Sequence, residues 1–312
     1  EGYGLTFGAE TEKSSFRTVS FGGPASIADA RLDSFYGQLS ATPVTGLTLT
    51  TGIRHDDSKT FGGKTIFAAN GVYSPNDGAT TIRASYGEGF KVPSLFQLFS
   101  DFGNTTLKPE SSKGWDAGIT QKLLDGAIEV GATWFHRNTR NQIVFISCGP
   151  QVGICTNRPF GTYDNVARSR AQGLEFALTL QPVEALTVQA NYSWIDAENR
   201  TPSNPVIGDR FIRRPKNNFN FSLDYDWQFG LQTGATITHT GRSFDQDFDA
   251  NFNTVLVRNK GYVLVDLRAS YPVTKAVSIY GRIENLFDEQ YETIFQYGTP
   301  RRAAYAGVRL NF

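Results

Sequence analysis

The sequence predicts an all-β fold, a transmembrane antiparallel up-and-down β-barrel of about 14 strands. Three observations predict it. Apolar and polar residues alternate with a period of two through most of the chain, so each segment has one apolar and one polar face. The segments are joined by short turns and long loops in alternation, the asymmetry of outer-membrane barrels. Aromatic residues are abundant, at 24 Phe and 13 Tyr, yet mean hydropathy is slightly negative and no apolar run approaches the roughly 18 residues of a membrane helix. A chain that crosses lipid with only one face of each strand has this profile.

In chain order, segments 3–14, 31–42, 47–57, 65–73, 80–87, 114–123 and 127–146 alternate, each with some irregularity. Leu174, Phe176, Leu178 and Leu180 then alternate with Glu175, Ala177 and Thr179, and Leu186, Val188, Ala190, Tyr192 and Trp194 with Thr187, Gln189, Asn191 and Ser193. The segment 218–227 is the clearest: Phe219, Phe221, Leu223, Tyr225 and Trp227 share one face, and Asn218, Asn220, Ser222, Asp224 and Asp226 the other. Segment 231–242 follows. Val263, Val265, Leu267, Ala269 and Tyr271 form the next apolar face, then Val277, Ile279, Gly281 and Ile283, and finally Ala304, Ala306, Val308, Leu310 and Phe312.

Short connections fall at 43–46, 74–78, 124–126, 182–185, 228–230 and 272–275, where Pro, Gly, Asn and Asp suit tight turns. Long ones fall near 15–30, 58–64, 88–113, 147–161, 199–216, 243–260 and 286–301. This orients the chain, with short turns periplasmic and long loops extracellular. Tyr73, Tyr225, Trp227 and Tyr271 lie outward beside short turns, and Tyr86, Trp134, Tyr192 and Trp194 outward near the opposite strand ends. Amphipathic rings at two depths are what two headgroup girdles require. A soluble sandwich also alternates, but its outer face would be charged; here the polar face is mostly Asn, Ser, Thr, Gln and Gly, which suits a watery or protein-filled lumen.

Charge excludes some functions. Thirty basic residues balance thirty acidic ones, so nucleic acid is not an expected partner. His55, His136 and His239 are scattered without metal-ligand spacing, and no nucleophile elbow or phosphate loop is present, so the chain is not read as an enzyme and has no catalytic residues to name. Cys148 and Cys155, in a Gly/Pro-containing segment, read as a local disulfide pinning an extracellular loop.

Recognition is expected in the long loops. Candidate ligand-binding residues are Phe99, Asp101 and Phe102 in loop 88–113, and Phe244, Asp245, Phe248, Asp249 and Phe252 in loop 243–260; aromatic rings supply contact area and carboxylates orient polar groups. The same residues equally serve to fold the loops over the barrel mouth. Asp245, Asp247 and Asp249 alternate with other residues, a spacing that permits Ca²⁺ but lacks the Gly and terminal Glu of an EF-hand; a solvated acidic loop accounts for them without a metal or any cofactor.

A series of motifs occurs in order: Tyr86-Gly-Glu-Gly-Phe-Lys-Val-Pro93-Ser-Leu-Phe-Gln-Leu98, Leu107-Lys-Pro-Glu110, Gly114-Trp-Asp-Ala-Gly118, Gly173-Leu-Glu175, Arg213-Arg-Pro215, and Ile283-Glu-Asn-Leu-Phe-Asp288 with Tyr291. This set resembles the C-terminal barrel portion of TonB-dependent outer-membrane receptors, most of all the cobalamin receptor type and next the small-siderophore receptors, over nearly the whole chain. The resemblance implies a Gram-negative outer-membrane location in contact with lipid. It implies uptake of a scarce nutrient chelate driven by the inner-membrane TonB complex through a plug, and a 22-stranded barrel of which residues 1–312 form the C-terminal part. No plug or coupling box is found in these residues. It also implies that Phe312 is the signal read by the barrel assembly machinery. The alternative is a smaller barrel closed on itself, with the first strand paired to the last, acting as a passive diffusion channel.

Overall fold

The structure, a computed structural model, describes residues 2–19, 23–146, 148, 153–158, 160–201, 207–208, 210–251 and 254–310. Fourteen strands form one antiparallel sheet in which each strand pairs with its neighbours in sequence. They are β1 Gly2–Thr18, β2 Ser26–Val44, β3 Leu47–Ser58, β4 Gly62–Tyr73, β5 Thr80–Lys91, β6 Glu110–Leu123, β7 Ile128–Ile146, β8 Thr162–Val183, β9 Leu186–Asn199, β10 Asn217–Asp226, β11 Gln232–Thr240, β14 Tyr262–Pro272, β15 Val277–Glu284 and β16 Ala303–Leu310. A separate hairpin, β12 Ser243–Phe248 with β13 Thr254–Asn259, lies between β11 and β14, and one short helix, α1 Leu95–Phe99, lies between β5 and β6. Both occupy segments expected to be loops. Neither helix nor hairpin interrupts the main ladder.

Register confirms which face is apolar. Leu223 sits between Val188 and Ala235, and the same row runs on through Leu267, Ile283 and Ala304. On the other side it continues through Leu180 and Ile128 to Leu123. Side chains one position along point the opposite way, so Asp224, Gly234, Arg268 and Arg282 form a polar row on the lumen side. Exposed apolar side chains such as Leu5, Phe7, Ile53, Phe176 and Val308 therefore mark a lipid face and not a failed core.

Aromatic rings lie at both ends of this face. Tyr86 pairs with Trp115, and Leu174 with both Trp134 and Trp194, whose rings lie 6.1 Å apart. At the short-turn end Tyr73 sits between Leu47 and Ile82, and Tyr225 packs edge-on against Trp227 at 4.8 Å. Two of the turns, Asn76–Gly78 and Leu124–Gly126, carry Asp and Gly at positive φ, the backbone a tight reversal between twisted strands demands.

Strand length is uneven. β7 and β8 have 19 and 22 residues, whereas β10, β11, β15 and β16 have 10, 9, 8 and 8. About 9–11 residues cross a bilayer. The long strands therefore stand well above the membrane on the loop side, and the low stretch of wall from β10 to β16 is where the extra hairpin sits. Cys148 and Cys155 are joined in the loop above β7 and β8, with Cα atoms 5.5 Å apart.

Glycines let the lumen wall cross-link itself. Gly234 lies in register between Asp224 and Arg268, and a Cβ there would come within 2.5 Å of Arg268 and 2.6 Å of Asp224. Its bare backbone is the gap through which Arg268 Nη2 reaches both Asp224 oxygens, at 2.5 and 2.7 Å. Gly118 plays the same part for Arg83, which donates across it to Thr133 at 2.6 Å.

The self-closed alternative is not realised. Among the described residues β1 pairs only with β2, and β16 only with β15. The expected terminal residue Phe312 lies outside the described residues.

Adjacent residues facing different media give a direct check. An Arg at mid-bilayer on the lipid face costs about 2–4 kcal/mol. In a watery lumen, losing one exposed ion pair costs about 1 kcal/mol or less. Leu223→Arg is expected to lower folding stability in lipid vesicles by the larger amount and Asp224→Arg by the smaller, read by denaturant titration. Equal losses would contradict the assignment of faces.

Candidate functional site

Two loop assemblies stand at the long-loop end of the sheet. The first is built from the segment 92–109. Ser94 caps α1: its Oγ accepts from Gln97 N, and Gln97 Oε1 accepts from Ser94 N, at 3.2 and 3.0 Å. Leu98 and Leu107 then turn inward onto Ile143 of β7, with Phe61, Phe99 and Tyr163 around them. Among the described residues Leu98, Leu107 and Ile143 form the buried apolar core, and Pro93 beside α1 is buried as well.

Polar side chains finish the assembly. Buried Asn104 donates from Nδ2 to Tyr163 O at 2.9 Å and accepts from Thr106 N and Oγ1. Asn165 accepts from Lys108 N at 2.6 Å and donates to Lys108 O and Asn141 O. Thr162 Oγ1 donates to Phe102 O at 3.0 Å. Loop 92–109 is thus a fixed structure anchored on the tall β7–β8 hairpin. Of the residues expected to meet ligand here, Phe99 packs in the small core and Phe102 packs edge-on against Phe145 at 5.7 Å; Asp101 is exposed.

The second assembly is organised by Asp245. Its carboxylate is fully buried and accepts from Arg213 Nε at 2.9 and 3.0 Å, from Gln246 N at 2.8 Å and from Phe295 N at 2.9 Å, with Asn259 Nδ2 at 3.4 Å. Burial pushes its pKa up; the Phe295 and Gln246 amides and the Arg213 guanidinium outweigh that and hold it below the usual carboxylate value. Three segments meet on this one side chain: the stretch before β10, the β12–β13 hairpin and the loop before β16.

That position corrects the reading of Asp245 as a ligand-contact or Ca²⁺-binding group, because its lone pairs are already committed to internal donors. Asp247 accepts from Gln296 Nε2 at 3.5 Å and Asp249 from Asn251 N at 2.8 Å, and no metal-binding cluster of carboxylates converges among the described residues. Phe244 lies under two guanidinium groups, Arg210 at 5.0 Å and Arg258 at 5.4 Å. Phe248 is 56% exposed at the hairpin end, and Phe252 lies outside the described residues.

Beside this hub is a cavity of about 500 Å³. Arg258, Asn259, Lys260, Tyr262, Tyr291 and Arg301 are among its lining residues. Tyr262 shares the lumen side with Asp266 and Arg268, and its ring packs tilted against Tyr291 with centroids 4.3 Å apart. Asn259 is buried, and its amide nitrogen faces Asp245, which leaves Oδ1 as an acceptor without a partner. Sequence reasoning passed over these residues. The available signal was alternation: Arg258, Lys260 and Tyr262 continue the polar face of β14 into the loop.

The motif at 283–288 proves to be a structural latch below that cavity. Asn285, at positive φ, donates to Glu289 O and accepts from Glu289 N, at 2.9 and 2.8 Å, and so turns the chain. Asp288 then receives Arg301 Nε and Nη2 and Arg302 N at 2.5–3.0 Å, which holds its pKa down to about 2. The exit of β15 is thereby fastened to the entry of β16.

Solved structures similar to this chain are receptors. The ferric enterobactin receptor PfeA of Pseudomonas aeruginosa, in complex with enterobactin, superposes with a TM-score of 0.80 at 21% identity, covering 99% of this chain and 52% of that one. FpvA of P. aeruginosa, bound to a heterologous pyoverdine, gives 0.78 at 18% identity over 99% and 46%. The siderophore receptor PirA from P. aeruginosa gives 0.72 at 22% over 99% and 52%. At such identities the likeness is one of fold, and the chain spans about half the length of these proteins. A family model described as TonB dependent receptor-like, beta-barrel, matches residues 2–286. With its lipid-facing strands, polar lumen and matching family model, this chain belongs to the β-barrel family of TonB-dependent receptors, proteins of the Gram-negative outer membrane.

Proposed function

We propose that this chain forms the wall and outer vestibule of a receptor for energy-coupled uptake of a scarce nutrient chelate, a ferric siderophore before cobalamin. The reading rests first on the cavity at the mouth of the lumen. There Lys260 has no side-chain partner among the described residues and the Tyr262–Tyr291 pair offers a ring surface. Lysine and ring surface suit a ring-bearing chelate with an anionic group, and the carboxylates of Glu289 and Glu292, which also line the cavity, suit its hydrogen-bond donors. The similar receptors are named for such ligands: ferric enterobactin, pyoverdine and siderophores. Asp101, Phe248 and Asp249, which the loops leave toward solvent, are the outer contacts in this reading, and Phe244 holds Arg210 and Arg258 in place. The polar lumen wall suits a plug on which the TonB complex pulls.

Uptake of iron-loaded enterobactin and pyoverdine by cells expressing the receptor tests this. Transport of one of them is expected to vanish when the inner-membrane TonB complex is deleted. Lys260→Glu is expected to weaken its apparent affinity about tenfold, the equivalent of one contact of about 1.4 kcal/mol. Uptake that persists without TonB would support a passive channel instead.

Asp245→Asn separates scaffold from contact. Exchanging the buried carboxylate for an amide weakens its bonds to Arg213 and two backbone amides by about 1–3 kcal/mol. Faster amide exchange is expected in all three segments that meet there, with the strand ladder unchanged; a change confined to the hairpin would refute the hub. Because its pKa is lowered on folding, the stabilisation is present above the ordinary carboxylate value of about 4 and is lost as pH falls through the lower folded value. Loop protection is therefore expected to be flat from pH 5 to 8, a range set by that ordinary value of about 4.

The terminal strand carries the proposed contact with the barrel assembly machinery. Val308 and Leu310 keep the outward apolar series up to the last described residue. Deleting residues 310–312 is expected to abolish insertion, read as loss of heat-modifiable migration on gels; normal migration would remove the assignment.

A further inference from the structure

The β12–β13 hairpin is a wall hairpin carried on past a break. β11 and β14 pair from Gln232 with Ser270 up to Thr240 with Tyr262. β12 and β13 pair from Ser243 with Asn259 up to Phe248 with Thr254. Ser243 is three residues on from Thr240, and Asn259 is three residues back from Tyr262, so the second register continues the first with no residue gained or lost. Between them only two facing positions leave the ladder, Gly241 with Gly261 and Arg242 with Lys260. Both weaken a strand pair: glycine brings no side chain to pack, and like charges placed opposite each other repel. Arg242 and Lys260 are exposed and have no acidic side-chain partner among the described residues.

The backbones crowd at this seam. A Cβ at Gly261 would lie 2.9 Å from Thr240 O and 3.0 Å from Arg242 N, and one at Gly241 would lie 2.8 Å from Asn217 O. Beyond the seam the hairpin is gripped by the flanking loops. Arg213 N donates to Phe244 O at 2.7 Å, and Asp245 gathers the Arg213 side chain and Phe295 N. The vestibule cavity lies across the same seam, with Arg258, Lys260 and Tyr262 on one side and Glu289, Tyr291 and Arg301 on the other. A weak seam at one end and a buried carboxylate at the other make a hinge and a catch.

We propose that β12–β13 is a flap that turns as one body about Gly241 and Gly261, with Asp245 as the catch that holds it. Release of the catch parts the two sides of the cavity, so the flap controls whether that site exists. This consequence rests on the function proposed above; the hinge itself does not.

The test places spin labels at Phe248→Cys on the flap and Lys113→Cys on wall strand β6, both exposed, in the receptor as the cell makes it, held in nanodiscs. Cys148 and Cys155 are bonded to each other and take no label. Seam to flap end is about 20 Å of strand, so a turn of about 30° moves the label by about 10 Å. The doubly labelled receptor with no further change is expected to show one main distance. Asp245→Asn is expected to add a second one, shifted by about 10 Å. Gly261→Ala, whose Cβ wedges the strands apart at the seam, is expected to add the same one. Arg242→Glu turns the facing like charges into an ion pair, and is expected to cut the second population in Asp245→Asn about fivefold. Heat-modifiable migration checks that each variant is assembled; if Gly261→Ala is not, the two Asp245→Asn measurements decide. An unshifted distance in Asp245→Asn overturns the flap. So does a broad continuum of distances, which would make the hairpin a fraying loop, or a second population that Arg242→Glu leaves unchanged. The distances are read without any ligand, so failure of the uptake experiment and failure of the flap are separate results.

Discussion

Everything in this structure depends on one constraint: in hydrocarbon a backbone N–H or C=O has no water to bond, so the chain must pair all of them with itself. An antiparallel ladder from β1 to β16 meets it for every strand between the two edge strands. Once the ladder is set, the period of two distributes side chains to lipid and lumen without further choice. The ladder also explains why so few apolar residues are buried. The apolar face is turned outward, and burial is left to the places where loops fold back on the strands.

Those places are organised by polar side chains. Asn104 and Asn165 anchor the loop after β5, Asp245 joins three segments, and Asn285 with Asp288 closes the approach to β16. Each sits where backbone amides of an irregular segment would otherwise lack acceptors. A loop above a barrel has too little apolar surface to form a core of its own, so a carboxylate or carboxamide that satisfies several donors at once is the economical way to hold it. The lumen wall uses a related device, in which a glycine on one strand leaves room for a long side chain to bridge its two neighbours.

The vestibule cavity follows from both. Tyr262 and Lys260 come from the end of a wall strand, Tyr291 and Arg301 from the latch loop, and Asn259 from the hairpin that Asp245 fixes. A binding surface assembled this way is set by rigid parts although it is composed of loops. The tall β7–β8 hairpin carries the disulfide.

Sequence alone determined the fourteen wall strands, their faces and the family, but not the β12–β13 hairpin or α1, which lie in segments read as loops. Phe219 to Trp227 alternate without exception, and a strand half in lipid writes its environment into every second residue. The motifs at 86–98 and 283–288 were legible for a similar reason: each satisfies its own turn locally, through the Ser94–Gln97 cap or the Asn285 bonds to Glu289. Only the tertiary structure decided which loop residues are spent on holding the loops together. Asp245 and Phe99 look like recognition groups in a polar, aromatic loop, yet one is a buried hub and the other belongs to a small core. The partners that settle those roles, Arg213 and Phe295 for Asp245 and Ile143 for Phe99's neighbours, lie 32 or more residues away, and no local pattern encodes a contact made across that distance.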